Sequence, residues 1–306
     1  MVKPIRIKSI SEFHRLRNLP KPEHPLISII DYADLKFSHE EKGQKLSATF
    51  DFYSISVKHN LSGNLQYGQQ QYDFDEGLMS FVAPNQVLGV EVFKEEITNP
   101  SGWIMMIHPD FLWNTSLAKN IKKYEYFDYS VNEALFLSEK EEMTINNIVE
   151  NIKQEYHSNI DKFSQDIIIS QLETLLNYAE RFYQRQFITR KISNHQILDR
   201  LEKLLTDYFN SDDLSIIGLP TVQYISDRLN ISQSYLLSLL KTLTGRTTQQ
   251  HIHDKLIEKA KEKLSTTDLS VSEIAYELGF EHLQSFSKLF KTKTKLSPLE
   301  FRQSFN

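Results

Sequence analysis

A chain of 306 residues, 40% hydrophobic and 25% charged, has the composition of an ordinary water-soluble protein and the length for two domains. Its formal charge of -5 excludes a protein that coats nucleic acid indiscriminately, which would be far more basic. The lack of cysteine excludes a disulfide scaffold, a thiolate zinc site and cysteine methyl-acceptor chemistry. No apolar run approaches the ~20 residues that span a bilayer, and the opening MVKPIRIKSI has no signal-peptide core. The expected compartment is therefore the cytoplasm, without a membrane partner.

From residue 26 to about 113, short β-prone runs (LISIIDY, TFDFYSISV, GNLQYG, GLMSFVA, QVLGVEVF, GWIMMI) alternate with turn residues such as Ser62-Gly63-Asn64 and Pro84-Asn85. Such punctuation predicts a small β-sandwich or barrel. Phe52, Tyr53, Tyr67 and Trp103 are candidates for an effector cavity, because small-molecule sites are mostly apolar with a few polar tips. Aromatic residues on alternating strands also build plain cores. A metal centre needs imidazole and carboxylate groups converging from neighbouring strands. His39, His59 and His108 stand apart, so no metal or other cofactor is expected. His251 and His253 do form a His-X-His pair, but within a helical pattern, where alternate positions face apart.

Two amphipathic helices are expected over 136–156 and 163–187. Ile145, Ile148 and Ile152 share one side of the first, and Ile168, Leu172, Leu175, Leu176, Ala179, Phe182 and Tyr183 one side of the second. Faces this apolar must be buried, either on the strands of the same chain or against a second subunit. The polar stretch 185–194 reads as a linker between a first domain, 1–190, and a second, 195–306. A helix over 195–209 opens the second.

From 221 to 301 one pattern occurs twice: an apolar helix, a tight turn and a second helix with small and polar residues on its outer face. The first copy is TVQYISDRLNISQSYLLSLLKTLTG (221–245), and the second lies within 270–293. Val222, Ile225 and Leu229 fall where Val271, Ile274 and Leu278 fall, and Asn230 matches Gly279 at a turn position suited to a left-handed backbone. The outward faces carry Gln233, Ser234, Leu237, Ser238 and Lys241 in one copy, and His282, Leu283, Gln284, Ser285, Ser287, Lys288 and Lys291 in the other. Two helix-turn-helix units imply a reader of double-stranded DNA, each outer face entering a major groove. Between them, Ile252, Leu256, Ile257, Ala260 and Leu264 mark a spacer helix that would hold both readers at a fixed separation. Twelve basic against eight acidic residues over 228–306 suit a selective binder with few phosphate contacts, for which Lys241, Arg246, Lys288, Lys291 and Lys293 are the candidates.

The stretch EIAYELGFEHLQSFSKLFKTKTKLSPLEFR (273–302) resembles the second helix-turn-helix and closing helix of AraC/XylS-type transcription regulators. Ile274-Ala275, Leu278-Gly279-Phe280, Phe286-Ser287-Lys288, Phe290-Lys291, Ser297-Pro298 and Phe301-Arg302 carry the resemblance, which covers only the last third of the chain. Lys295 departs from the family's usual glycine before Ser-Pro, Ser238 stands where an arginine is frequent, and Leu283 occupies an often polar base-facing site. For the first half, the resemblance implies a cupin-like barrel that senses a small molecule.

The expected molecule is thus a two-domain α+β protein. Its N-terminal half is a cupin-like barrel with a helical pair, and its C-terminal half is all-α, with two helix-turn-helix units joined by a long helix. The function expected is effector-controlled, sequence-specific regulation of transcription, without catalysis. Its partners would be operator DNA, an unidentified effector, a second copy of the chain and, for an activator, RNA polymerase. Dimerisation through the helical pair is favoured because readers of paired half-sites tend to be dimers. A cupin-type metal enzyme with a DNA-tethering tail is disfavoured by the dispersed histidines. An effector-independent architectural DNA binder is disfavoured by the acidity of the chain and the elaborate first half.

Overall fold

The structure is a computed structural model that describes residues 4–35, 45–59, 77–91, 101–130, 133–158, 163–189, 191–211 and 214–304. The chain divides into two compact units, Met1–Gln186 and Phe187–Asn306.

The first unit begins with β1 (Ile5–Ile7), α1 (Ile10–Leu16) and β2 (Ile27–Asp31). It continues through β3 (Lys45–Phe50), β4 (Tyr53–His59), β5 (Gly77–Val82), β6 (Val87–Glu91), β7 (Ser101–Ile107), α2 (Ser116–Asn120) and β8 (Leu135–Leu137). The run TFDFYSISV, which reads as one strand, bends at Asp51-Phe52 and is divided between two sheets. One sheet has the order β1-β3-β6, with β1 parallel to β3, and the other β2-β7-β4-β5-β8. Among the described residues these are separate open sheets, and the expected barrel does not close. The GNLQYG run lies outside the described residues.

Strand alternation explains why the larger sheet is covered rather than rolled up. Ile30, Val82, Ile104 and Met106 face the small sheet and pack with Ile7, Phe13, Phe50 and Phe52. On the opposite face, Ile55, Val57, Met79, Phe81, Trp103, Met105 and Ile107 are all buried. A sheet apolar on both sides needs a second layer, which α3 (Glu139–Tyr156) and α4 (Ser164–Thr189) help supply. The Trp103 indole N–H donates to Asn146 of α3 at 2.9 Å. Tyr126, behind Phe81, stacks on Tyr183 of α4 and donates to the Leu176 carbonyl at 2.8 Å.

This packing corrects the expected start of the first helix and shows where the apolar faces go. The first helix starts at Glu139, after Ser138, because Phe136 belongs to β8. The apolar faces of the helical pair are buried within the chain: Ile145, Ile152, Leu172, Leu175 and Ala179 are fully covered, and Ile148, Ile168, Leu176, Phe182 and Tyr183 nearly so. A dimer would have to use other residues.

The stretch 185–194 contains the end of one helix and the start of the next. Helix α4 continues to Thr189, and α5 (Lys191–Phe209) follows. Arg185 pairs with Glu141 at 2.5 Å and donates to the Phe136 carbonyl at 2.7 Å. Buried Asn194 donates to the Phe187 carbonyl at 2.5 Å. Over 185–189 and 191–194 the polar composition is compatible with helix, which can solvate one face.

The second unit contains α5, α6 (Leu214–Ile217), α7 (Val222–Leu229), α8 (Gln233–Thr244), α9 (Thr248–Thr266), α10 (Val271–Glu277), α11 (Leu283–Thr294) and α12 (Pro298–Gln303). One continuous core runs through it, from Leu201 and Leu205 of α5 to Phe286 and Phe290 of α11, with Ile252, Leu256 and Ala260 of α9 at its centre. No helix among the described residues is long and apolar enough to cross a membrane.

Candidate nucleic-acid interface

Both helix-turn-helix units are built from local signals. Thr221 caps α7 by accepting from the Tyr224 N–H at 3.1 Å, and Ser232 caps α8 by accepting from the Tyr235 N–H at 3.1 Å. In the second unit, Ser270 and Glu273 form a reciprocal capping box at α10. His282 starts α11 without a side-chain cap. The two turns place Asn230 at φ 59° and Gly279 at φ 81°, the left-handed conformation their residue types suggested. The second turn is tighter for space: a Cβ on Gly279 would lie 3.0 Å from the Gly218 backbone and the Leu214 carbonyl. Lys295 ends α11 at φ 70°, a left-handed cap taken by a residue other than glycine, as Gly245 ends α8 at φ 72°.

The repeat extends further than the paired helices. After each reading helix comes a new capped helix, Thr247 with Gln250 opening α9 and Ser297 with Glu300 opening α12. Thus α9 serves both as the third helix of the first repeat and as the spacer.

The two outer faces differ in exposure. In α8, Gln233 and Lys241 are exposed, whereas Ser234, Leu237 and Ser238 are half-buried. The Gln233 amide donates to the Gln223 side chain of α7, whose own amide donates to Asp227 at 2.6 Å. In α11, Leu283, Gln284, Ser285, Lys288 and Lys291 are exposed with His282 before them, and only Ser287 is half-buried. Buried Phe286 and Phe290 anchor α11 from behind. An exposed amide at Gln284 can make two bonds to adenine, and Lys288, one turn later, can donate to guanine acceptors.

Most lysines on α9 are engaged. Lys255 pairs with Glu258 at 3.1 Å, Lys259 with Glu262 at 2.9 Å and Lys263 with Glu277 at 2.7 Å. Asp254, which no sequence motif singles out, touches both repeats: its carboxylate lies 2.9 Å from Arg246, just after α8, and 2.7 Å from Lys293, in the last turn of α11. The Arg246 contact spans eight residues and the Lys293 contact thirty-nine, so only the first is local enough to suspect from spacing.

His251 and His253 are divided as expected for alternate positions, His251 toward Thr244 and His253 toward Gln249, both at 2.9 Å. Burial lowers the pKa of both from the usual imidazole value. His59 lies 2.8 Å from Glu142, and His108 accepts from the Asp110 N–H at 3.2 Å. His39 lies outside the described residues. Among the described residues, no group of three or more His, Asp or Glu side chains could hold a metal ion.

The four effector candidates are not gathered in one place. Phe52 is in the core between the sheets, with Phe13 and Phe50. Tyr53 and Trp103 point to the opposite face of the large sheet, Tyr53 edge-on to Phe127 and Trp103 toward α3. Tyr67 lies outside the described residues. The separation follows from the period-two alternation of a strand, which neighbouring aromatics in sequence cannot escape. Residues not singled out from the sequence line the inner face beside Phe52. Ser56 and Ser80, both buried, share a hydrogen bond at 2.8 Å, and buried Ser28 lies 2.9 Å from His14.

Residues 225–304 match a family model described as a helix-turn-helix domain. The chain is 32% identical over 116 residues to an uncharacterized HTH-type transcriptional regulator in the cgkA 5' region of Pseudoalteromonas carrageenovora, covering 38% of this chain and 64% of that protein. It is 37% identical over 84 residues to the raffinose operon transcriptional regulatory protein RafR of Pediococcus pentosaceus, covering 28% of this chain and 30% of that one. The matches therefore span less than two thirds of either relative. Among solved structures, it is similar to the C-terminal domain of AraT, a response regulator from Geobacillus stearothermophilus, with 28% identity, 35% of this chain and 84% of that one covered, and a TM-score of 0.31. With tandem units and the motifs at 273–302 in place, the C-terminal region of this chain carries a helix-turn-helix domain of the AraC type.

Proposed function

We propose that the chain is a sequence-specific DNA-binding regulator of transcription working in the cytoplasm. The observation that carries the reading is that one hydrophobic core holds two helix-turn-helix units, each presenting polar side chains on its second helix. Rigid placement fixes the separation at which two grooves are read. Successive major grooves on one side of a duplex lie roughly 34 Å apart. The kinship of the C-terminal region with HTH-type regulators supports the same reading. No step in it requires catalysis.

The first unit is proposed as a cupin-like sensor, with its effector in the interior between the sheets. Buried Ser56 and Ser80, hydrogen-bonded to each other, lie in register with Ile104 of the core that contains Phe52, a combination of apolar surface and hydroxyls suited to a small, largely apolar molecule. Such a molecule acts on DNA binding only through different affinities for two arrangements of the protein. A homodimer, joined outside the buried faces of α3 and α4, and a contact with RNA polymerase complete the proposal.

Selection from a random duplex pool tests the reading. Fragments retained by the purified full chain should be enriched in a motif of two elements about one helical turn apart. Retention without enrichment of any sequence would contradict it.

A further inference from the structure

The cluster of Arg246, Asp254 and Lys293 is not explained by the stability of the fold. Arg246 is 60% exposed and Asp254 34%, and ion pairs at such positions contribute little. The core from α5 to α11 already ties the two repeats together without them. What the cluster does set is local charge. One carboxylate, divided between its two oxygens, occupies a cation from each repeat where the ends of both reading helices meet the start of α9. His251 and His253, beside it, have pKa values lowered by burial, so the charges that Asp254 offsets are the guanidinium and the ammonium.

We propose that Arg246 and Lys293 form a binding site for a backbone phosphate of duplex DNA, and that Asp254 occupies this site in the free protein as the phosphate's stand-in. This rests on the DNA-binding reading above. A phosphodiester presents two non-bridging oxygens and one negative charge, the same pattern that Asp254 presents to the two cations. Lying between the readers, the site would meet the backbone that passes from one groove to the next. Displacing Asp254 costs the same binding free energy on either duplex, so the carboxylate weakens contact with operator and random DNA wherever the phosphate is engaged.

The test compares the full chain with Asp254→Asn and Asp254→Ala, using a random-sequence duplex and the selected operator at several salt concentrations, with helix content checked by circular dichroism. Freeing both cations for a phosphate should tighten random-DNA binding by about 3- to 10-fold and steepen its salt dependence by roughly 0.9 in logarithmic slope. The operator should gain by a similar factor, because the same carboxylate is displaced in both complexes. Arg246→Gln together with Lys293→Gln in the Asp254→Asn background should erase the gain. If wild type binds DNA and both Asp254 variants leave random-DNA affinity and salt slope unchanged, the phosphate site is overturned while the DNA-binding reading stands. If the variants weaken operator and random DNA alike, Asp254 is a strut and the proposal is equally overturned. A wild-type chain that retains neither duplex at low salt would instead defeat the DNA-binding reading and this inference with it.

Discussion

The two helix-turn-helix units share a backbone plan and differ in what they offer to DNA. In the first, α8 presents half-buried Ser234, Leu237 and Ser238, and its exposed Gln233 is hydrogen-bonded to Gln223. In the second, α11 presents Leu283, Gln284, Ser285 and Lys288 in the open. Short hydroxyls and a leucine suit thymine methyls and water-bridged contacts, whereas a glutamine and a lysine can make directional bonds to base edges. Duplication of a motif thus need not duplicate its role. We propose on this ground that the second unit reads base edges and the first holds register.

The largest expected effect asks whether the units are separable at all. Phe286 is fully buried in the core common to both, so Phe286→Ala should cost about 3–5 kcal/mol. Helix content and DNA binding by both repeats should be lost together in denaturant titration. Loss confined to the second repeat would show two independent modules.

Base reading comes next in size. Gln284→Ala and Lys288→Ala should each lose about 1–3 kcal/mol on the operator and relax preference at one or two base pairs. Lys241→Ala, in the first unit, should weaken operator and random DNA alike and flatten the salt dependence by about one phosphate's worth. Equilibrium binding to the operator, its single-base variants and random duplex at two salt concentrations separates the two behaviours. A change of base preference in Lys241→Ala would reverse the assignment.

The turns and caps make smaller differences. Lys295→Gly relieves a left-handed backbone that Gly245 adopts freely at the matching place, and should raise stability by about 0.5–1 kcal/mol in thermal unfolding. An unchanged or lower midpoint would mean that the side chain of Lys295 compensates for its backbone. Acid sensitivity should also divide the units. The Ser270 side chain and backbone hold Glu273 below the usual carboxylate range, and the Ser297 backbone and side chain do the same for Glu300. A lowered carboxylate pKa adds stability above the unfolded value of about 4.3 and loses it as pH falls through the folded value. The equivalent positions in the first repeat hold Tyr224 and Gln250, neither of them a carboxylate. Glu273→Gln with Glu300→Gln should therefore flatten the acid limb of stability, and an unchanged limb would assign it to other carboxylates.

How much of this was legible in the sequence follows the range of the interactions. The repeats and their turns at Asn230 and Gly279 rest on contacts within a few residues, and periodicity with turn chemistry revealed them, whereas Lys295 stood out only through the family's usual glycine. Where the apolar faces of α3 and α4 go is a long-range matter. Their composition suits a sheet or a second subunit equally, and only the doubly apolar large sheet shows why they lie on the former. The helix ends within the polar stretch 185–194 were not legible, because charged residues solvate a helix as readily as a linker. The division of the effector candidates was missed for a local reason, since Phe52 and Tyr53 are adjacent in sequence and therefore face apart. Asp254 escaped notice because its second partner, Lys293, lies on a helix that only the fold brings near.

The division of labour between the repeats is tested most directly by selecting bound fragments from one random duplex pool with the wild-type chain, Gln284→Ala and Ser234→Ala, and comparing the enriched motifs. Gln284→Ala should lose information at one or two positions in one element of the motif, while Ser234→Ala should return a motif close to wild type. An unchanged motif in Gln284→Ala, or a larger loss in Ser234→Ala, would contradict the assignment of the second unit as the reader.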